Sequence, residues 1–274
     1  MRKPIFLVLC IALILVGCKG KISDNTEDSK GVYYQKIDEK EIGQRYNALA
    51  SYAYGLLHYD DKMYTSALHY SSTEKSTLNL DSILGEEIET VLGNHGVFWS
   101  TEGEELSEVT YEGRIYQIKG YDEAFRIGIY YETSMPLADT YYHLIIFEHL
   151  NDVTLHKGSE LFDDRLHLSE AVWVEGAMEE KDLQCQLSAE DTTVKEFLAA
   201  LYEGTFLDPA EEAYPTLDSA HAYTLSFYDP IGLFTNIMVY KEGYVSMEQA
   251  GEKALILKAD AQKCKNIIEK ITQS

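Results

Sequence analysis

Arg114-Ile115-Tyr116-Gln117-Ile118-Lys119-Gly120-Tyr121-Asp122 and, just after it, Phe125-Arg126-Ile127-Gly128-Ile129-Tyr130-Tyr131 decide the fold. Val109, Tyr111, Ile115, Tyr116 and Ile118 lead to a turn at Gly120-Tyr121-Asp122, after which Phe125, Ile127, Ile129 and Tyr131 alternate. A period of two with β-branched and aromatic residues is the pattern of a strand with one face buried. The run from Tyr141 to Leu150 is almost wholly apolar. Strands joined by turns this short form an antiparallel meander, because a parallel crossover needs a dozen or more residues.

Upstream, Tyr54, Leu56 and His58 alternate before Asp60-Asp61-Lys62, and Met63, Thr65 and Ala67 alternate after it, which predicts a hairpin. Asp81 to Gly93 admits two readings. Asp81 can cap a short helix that uses Ile83, Leu84, Ile88, Val91 and Leu92, or the segment is extended with Ile88, Thr90 and Leu92 on one face. Downstream, a short strand is expected around Ala171–Val174, and the polar stretch Glu175–Asp191 is expected to join two modules.

The period then changes. Asp191 or Thr192 caps a helix with the stripe Val194, Phe197, Leu198 and Leu201, stopped by Gly204. Pro209 and Pro215 flank an acidic loop. Strands are expected at Ala222–Tyr228, Phe234–Tyr240, Tyr244–Met247 and Ala254–Leu257, before a closing helix over Asp260–Thr272. The fold class is therefore α+β. An antiparallel, β-rich first module (46–178) precedes a smaller helix–antiparallel sheet–helix module (179–274), with the helices on one sheet face.

The amino terminus carries an address. Arg2 and Lys3 precede an apolar run from Ile5 to Val16, and Gly17 stands before Cys18. That run is about twelve residues, short of the roughly twenty a spanning helix needs. Leu15-Val16-Gly17-Cys18 resembles the lipobox of bacterial lipoproteins. The resemblance implies a signal peptide at 1–17, cleavage between Gly17 and Cys18, and a diacylglyceryl group on the Cys18 sulfur. It places the chain on the extracytoplasmic face of the cell membrane, held by lipid. Residues 18–45 then read as the lipidated cysteine and a flexible tether, polar and charged from Lys19 to Gly31.

The net charge of −23 argues against nucleic acid as a partner, since phosphates need Lys and Arg. It also disfavours adhesion to anionic lipid, which leaves the acyl chains as the membrane contact. Of the four cysteines, Cys10 leaves with the signal and Cys18 takes lipid. Cys185 and Cys264 lie on apolar faces and read as small core residues, and whether they pair stays open.

A second resemblance covers about Leu57 to Ile271. Trp99-Ser100-Thr101, the run Arg114 to Asp122 and Phe125-Arg126-Ile127 are similar to a pattern of surface lipoproteins of Gram-positive bacteria. The helix Glu196–Gly204 and the hairpin at Glu242-Gly243-Tyr244-Val245 fit the same arrangement. The resemblance implies an exported α+β lipoprotein. That family has no assigned chemistry, so no functional residue carries over.

Eight histidines raise the question of a metal. His143 and His149 share a strand face but stand roughly 20 Å apart, too far for one ion. His58 and His69 occupy non-opposed positions of the expected hairpin. His156, Asp163, Asp164 and His167 are the weak metal candidates that spacing leaves standing, and a solvated polar loop is the preferred reading of that segment. No metal and no other cofactor is expected. Pairs such as Glu86-Glu87, Glu104-Glu105, Glu179-Glu180 and Glu211-Glu212 follow from 46 acidic residues and do not mark a glycosidase. The serine-hydrolase elbow, zinc-protease, nucleotide-loop and calcium-loop motifs are absent from the sequence. The 21 tyrosines, including Tyr33-Tyr34, Tyr130-Tyr131 and Tyr141-Tyr142, suit half-exposed strand faces. These features favour a non-catalytic envelope lipoprotein that binds or senses a protein or glycan partner. The alternative is an extracellular hydrolase of envelope glycans or peptides, using acids or the His156–His167 region.

Overall fold

The computed structural model describes residues 32–33, 55–94, 97–100, 111–134, 139–150, 153–178, 183–208, 215, 217, 222–247 and 255–273. The expectations for Gly17, Cys18, the signal peptide and most of the tether fall outside these residues, as do those for Pro209 and the pairs Glu104-Glu105, Glu179-Glu180 and Glu211-Glu212. Within the segment 18–45, Val32–Tyr33 forms a short strand, β1, which pairs antiparallel with β9 (Thr154–Leu155).

The first half builds a closed barrel. Its strands are β2 (Leu56–Tyr59), β3 (Lys62–Ser72), β4 (Leu84–Asn94), β5 (Val97–Ser100), β6 (Tyr111–Ile118), β7 (Arg126–Ser134) and β8 (Thr140–Glu148). The spatial order is β2-β3-β8-β7-β6-β4-β5, antiparallel throughout until a parallel β2–β5 pair closes the ring. The meander β6-β7-β8 sits at its centre, as the alternation predicts. The hairpin at Asp60-Asp61 also forms, and both aspartates hold left-handed φ angles of 50° and 56°, which suits a two-residue turn between twisted strands.

Inside the barrel lie Leu57, Tyr64, Val91, Ile115, Ile127, Ile129, Tyr131, Ile145 and Phe147. The segment 81–93 combines the two readings. Leu80–Ile83 makes one helical turn, α1, and β4 follows at once. Val91 and the partly buried Ile88 pack inward, rather than Thr90 or Leu92, because register shifts between Leu84 and Glu89 change which face each residue takes.

The barrel's outer face is not left to solvent. Leu144, Ile146 and Ile118 pack there with Leu78 and Ile83 from the segment before β4, and with Leu233 from the second half. Alternation on β6–β8 therefore conceals two buried faces instead of one.

The second half is a seven-stranded antiparallel sheet in the order β11-β10-β13-β14-β15-β16-β12. Its strands are β10 (Trp173–Met178), β11 (Leu183–Ser188), β12 (Thr205–Phe206), β13 (Tyr223–Tyr228), β14 (Phe234–Val239), β15 (Tyr244–Met247) and β16 (Leu255–Lys258). The stretch Glu175–Asp191, expected to join two modules, is instead largely the β10–β11 hairpin of this sheet. Its alternating polar residues are the outward face of paired strands.

Three helices complete the α+β arrangement: α2 (Gly158–Phe162), α3 (Thr192–Glu203) and α4 (Ala261–Gln273). Asp191 caps α3 by accepting a hydrogen bond from the Thr193 N–H at 2.8 Å. Asp260 caps α4, accepting from the N–H groups of Gln262 and Lys263. The stripe Val194, Phe197, Leu198, Leu201 meets Cys264, Ile267, Ile268 and Ile271 over Val174, Leu225, Ile237, Val239 and Leu257. Lys263 bridges to Glu196 at 2.6 Å and Lys270 to Asp191 at 3.0 Å along the helix pair. Cys264 is fully buried and Cys185 half-buried against the same core, and both are free thiols. Burial pushes the Cys264 thiol up to about 12, which removes it from thiolate chemistry.

Candidate functional site

The weak metal candidates fall on a segment that is more structured than a solvated loop. Leu161, Phe162, Leu166 and Leu168 are buried and anchor residues 158–168 in the core of the second sheet. Glu160 closes α2 from the inside of its first turn, its Oε2 accepting from the His156 N–H at 2.6 Å. That carboxylate also stands 3.5 Å from His156 Nδ1. Asp163 acts on the Tyr202 hydroxyl, whose ionisation is suppressed first by burial and then by that carboxylate. His167, at φ 52°, turns its ring toward Tyr121, with centroids 5.4 Å apart. His156, Asp163 and His167 thus each turn to a different partner, and among the described residues no three His, Cys, Asp or Glu side chains converge as metal ligands.

Asp164 and His167 do meet in a cavity of about 380 Å³. Asp122 and Phe125 from the β6–β7 turn, Thr154 and Leu155 of β9, and Glu160 and Arg165 complete its lining. Phe125 is buried and offers its ring to Arg165, whose guanidinium carbon lies 5.6 Å from the ring centre. Asp122 Oδ1 accepts from the Ala124 N–H at 2.9 Å, so this carboxylate shapes the turn. Glu160 likewise serves the backbone of α2. Two of the three carboxylates at the cavity are thereby fixed in place by amides. The volume lies in the range of small-ligand pockets.

Beneath the same turn lies a buried ion pair. Arg126 and Glu148 are direct cross-strand partners on the barrel's outer face, and both are almost fully buried. Arg126 Nε donates to Glu148 Oε1 at 3.1 Å and its Nη2 donates to the same oxygen. The guanidinium lies 4.3 Å from the centre of the Tyr121 ring, and the Tyr121 hydroxyl donates to Asp229 Oδ2 at 2.8 Å. Burial works against the Arg126 charge, yet Glu148, Tyr121 and Asp229 outweigh it and hold the guanidinium above its ordinary pKa. Arg126 Nη1 is buried without a protein hydrogen-bond partner. Sequence reading missed this group. On an alternating strand Arg126 and Glu148 occupy the polar positions, which read as the solvent side.

A second missed group pairs β3 with β8. His69 of β3 and His143 of β8 approach with Nε2 and Nδ1 3.3 Å apart. Thr133 Oγ1 stands 2.9 Å from His143 Nε2, and the Tyr131 ring stacks on His143 at 4.5 Å and 9°.

No family model matches the chain, and neither the curated proteins nor the solved structures contain a match to it. The class that fold and site define is an α+β chain with a closed barrel, a seven-stranded antiparallel sheet and a small cavity between the β6–β7 turn, β9 and the α2 segment. No helix among the described residues is long and apolar enough to cross a membrane.

Proposed function

We propose that the chain is a lipid-anchored binding or sensing module of the cell envelope, held by diacylglyceryl on Cys18 at the outer face of the cytoplasmic membrane. The observation that carries the binding reading is the cavity of about 380 Å³ lined by Asp122, Phe125, Glu160, Asp164, Arg165 and His167. A buried aromatic wall with a carboxylate-rich rim suits an amine-bearing peptide or glycan fragment. The lipobox-like start supports the address, and the similarity to Gram-positive surface lipoproteins supports export.

The test places a photoreactive amino acid at Asp164 of the full chain in intact cells. Adducts to envelope peptide or glycan are expected there and not from the same substitution at Glu190, on the turn before α3. Equal yields at both positions, or none at Asp164, would sink the reading.

A further inference from the structure

We infer that His69 and His143 form a binding site for a divalent zinc-type ion on the inner face of the barrel. The two residues sit on adjacent antiparallel strands. The direct partner of His143 on β3 is Ser71, and His69 lies two residues before it, so the two rings meet on the diagonal. Their facing nitrogens, Nε2 and Nδ1, are 3.3 Å apart. Two imidazole nitrogens on one tetrahedral ion, each about 2.0–2.1 Å from it, stand about 3.3 Å from one another. The protein therefore holds both donors at the spacing the ion requires.

The surroundings fix the donors. Tyr131, the direct partner of His143 on β7, stacks on its ring. Thr133 Oγ1 engages Nε2 and leaves Nδ1 turned to His69, the role an outer-shell hydroxyl plays at metal-bound histidines. Both rings favour the neutral, ligating form, because desolvation lowers the pKa of each. The chain's net charge of −23 raises the local cation concentration. Two protein donors leave two positions of a tetrahedral ion for water or for a ligand group. His69 is exposed and provides access from solvent. This site is separate from the cavity at Asp164 and does not depend on it.

The probe is Zn(II) added to the full-length chain, with tetrahedral Co(II) absorbance as the spectroscopic readout. One ion per chain is expected, with its binding shifting the ring signals of His69, His143 and Tyr131. His69→Gln, an exposed substitution, is expected to weaken binding at least tenfold. Thr133→Val, which keeps both donors, is expected to weaken it about tenfold. His156→Gln should leave affinity and spectrum unchanged. Unchanged affinity in a folded His69→Gln chain, or Co(II) spectra that lack tetrahedral bands, overturns the site.

Discussion

The Tyr121 hydroxyl donates a hydrogen bond of 2.8 Å to Asp229 Oδ2, joining the turn after β6 to the turn after β13 across 108 residues of sequence. The same Asp229 organises its own turn, with Oδ1 accepting from the N–H groups of Ile231 and Leu233 at 3.1 and 2.8 Å. Leu233 thereby seats itself on the outer face of the barrel beside Leu144 and Ile146. One carboxylate sets a local loop and a long-range contact together.

Asp229→Ala should therefore be costly, because it strands two amide donors and the Tyr121 hydroxyl at once. A loss of about 3 kcal/mol is expected, since hydrogen bonds to a charged group contribute roughly 1.5–3 kcal/mol each and are not additive. Tyr121→Phe removes one of those bonds and should cost about 1.5–2 kcal/mol. Urea denaturation midpoints check both values, and equal losses for the two variants would contradict this division.

The ion pair at Arg126 and Glu148 gives a sharper contrast. Removing one partner leaves a buried charge without its counterion, which costs roughly 3–5 kcal/mol. Glu148→Ala should show that loss. The double variant Arg126→Met, Glu148→Leu should recover most of it, since apolar side chains of similar volume fit a site already lined by Tyr121 and Phe125. A double variant as unstable as the single one would show that the pair itself stabilises the junction.

Much of this architecture was legible in the chain, and what was not has identifiable causes. The Asp60-Asp61 hairpin, the meander from Tyr111 to Glu148 and the α3 stripe follow from local period and turn chemistry. Arg126 and Glu148 did not, because their burial comes from Tyr121 and the distant 229–233 turn rather than from their own strands. His69 depends on a bulge. The register shift between Ser66 and Leu68 brings it opposite Ile145, an inward residue, where unbroken alternation would set it opposite Leu144, on the outer face. Its partner His143 is 74 residues away. The helix at Gly158 was hidden by a polar capping segment, although Leu161 and Phe162 behind it are buried.

The histidine pair makes stability depend on pH with a definite sign. Desolvation lowers both rings below the ordinary value of about 6.5, and His69 adds to the shift at His143. The unfolded chain therefore takes up protons at a higher pH than the folded one. Stability contributed by the neutral pair is fully present above about pH 6.5 and is lost as pH falls toward the folded-state values. Urea midpoints should drop between pH 7.5 and 5, and the double variant His69→Gln, His143→Gln should flatten that part of the curve.

Two glycines should respond differently to the same substitution. A Cβ on Gly158 would stand 1.9 Å from the Leu201 carbonyl oxygen, a backbone atom of α3 that has no easy path away. Gly158→Ala should separate α2 from α3 and cost about 3 kcal/mol, at the upper end of overpacking effects. Gly120 has open space around it but φ of +82°, so Gly120→Ala should cost only about 1–2 kcal/mol of backbone strain. Thermal melts of the two variants rank them, and a milder effect at Gly158 would mean the helix can shift.

Cys18→Ala tests the address independently of everything inside the fold. Two acyl chains anchor a protein stably where one gives only marginal residence, so on the proposed Cys18 anchor the variant should be released or left unprocessed with its signal attached. The acidic surface offers no electrostatic substitute, because a net charge of −23 is repelled by anionic headgroups. Fractionation should thus move the protein from the membrane pellet to the medium, or show a heavier uncleaved species in the pellet. The variant should keep the melting temperature of the parent, since the cores are built from residues between Leu56 and Ile271. A correctly cleaved Cys18→Ala chain still held in the membrane fraction would mean that protein contacts, not lipid, keep it there.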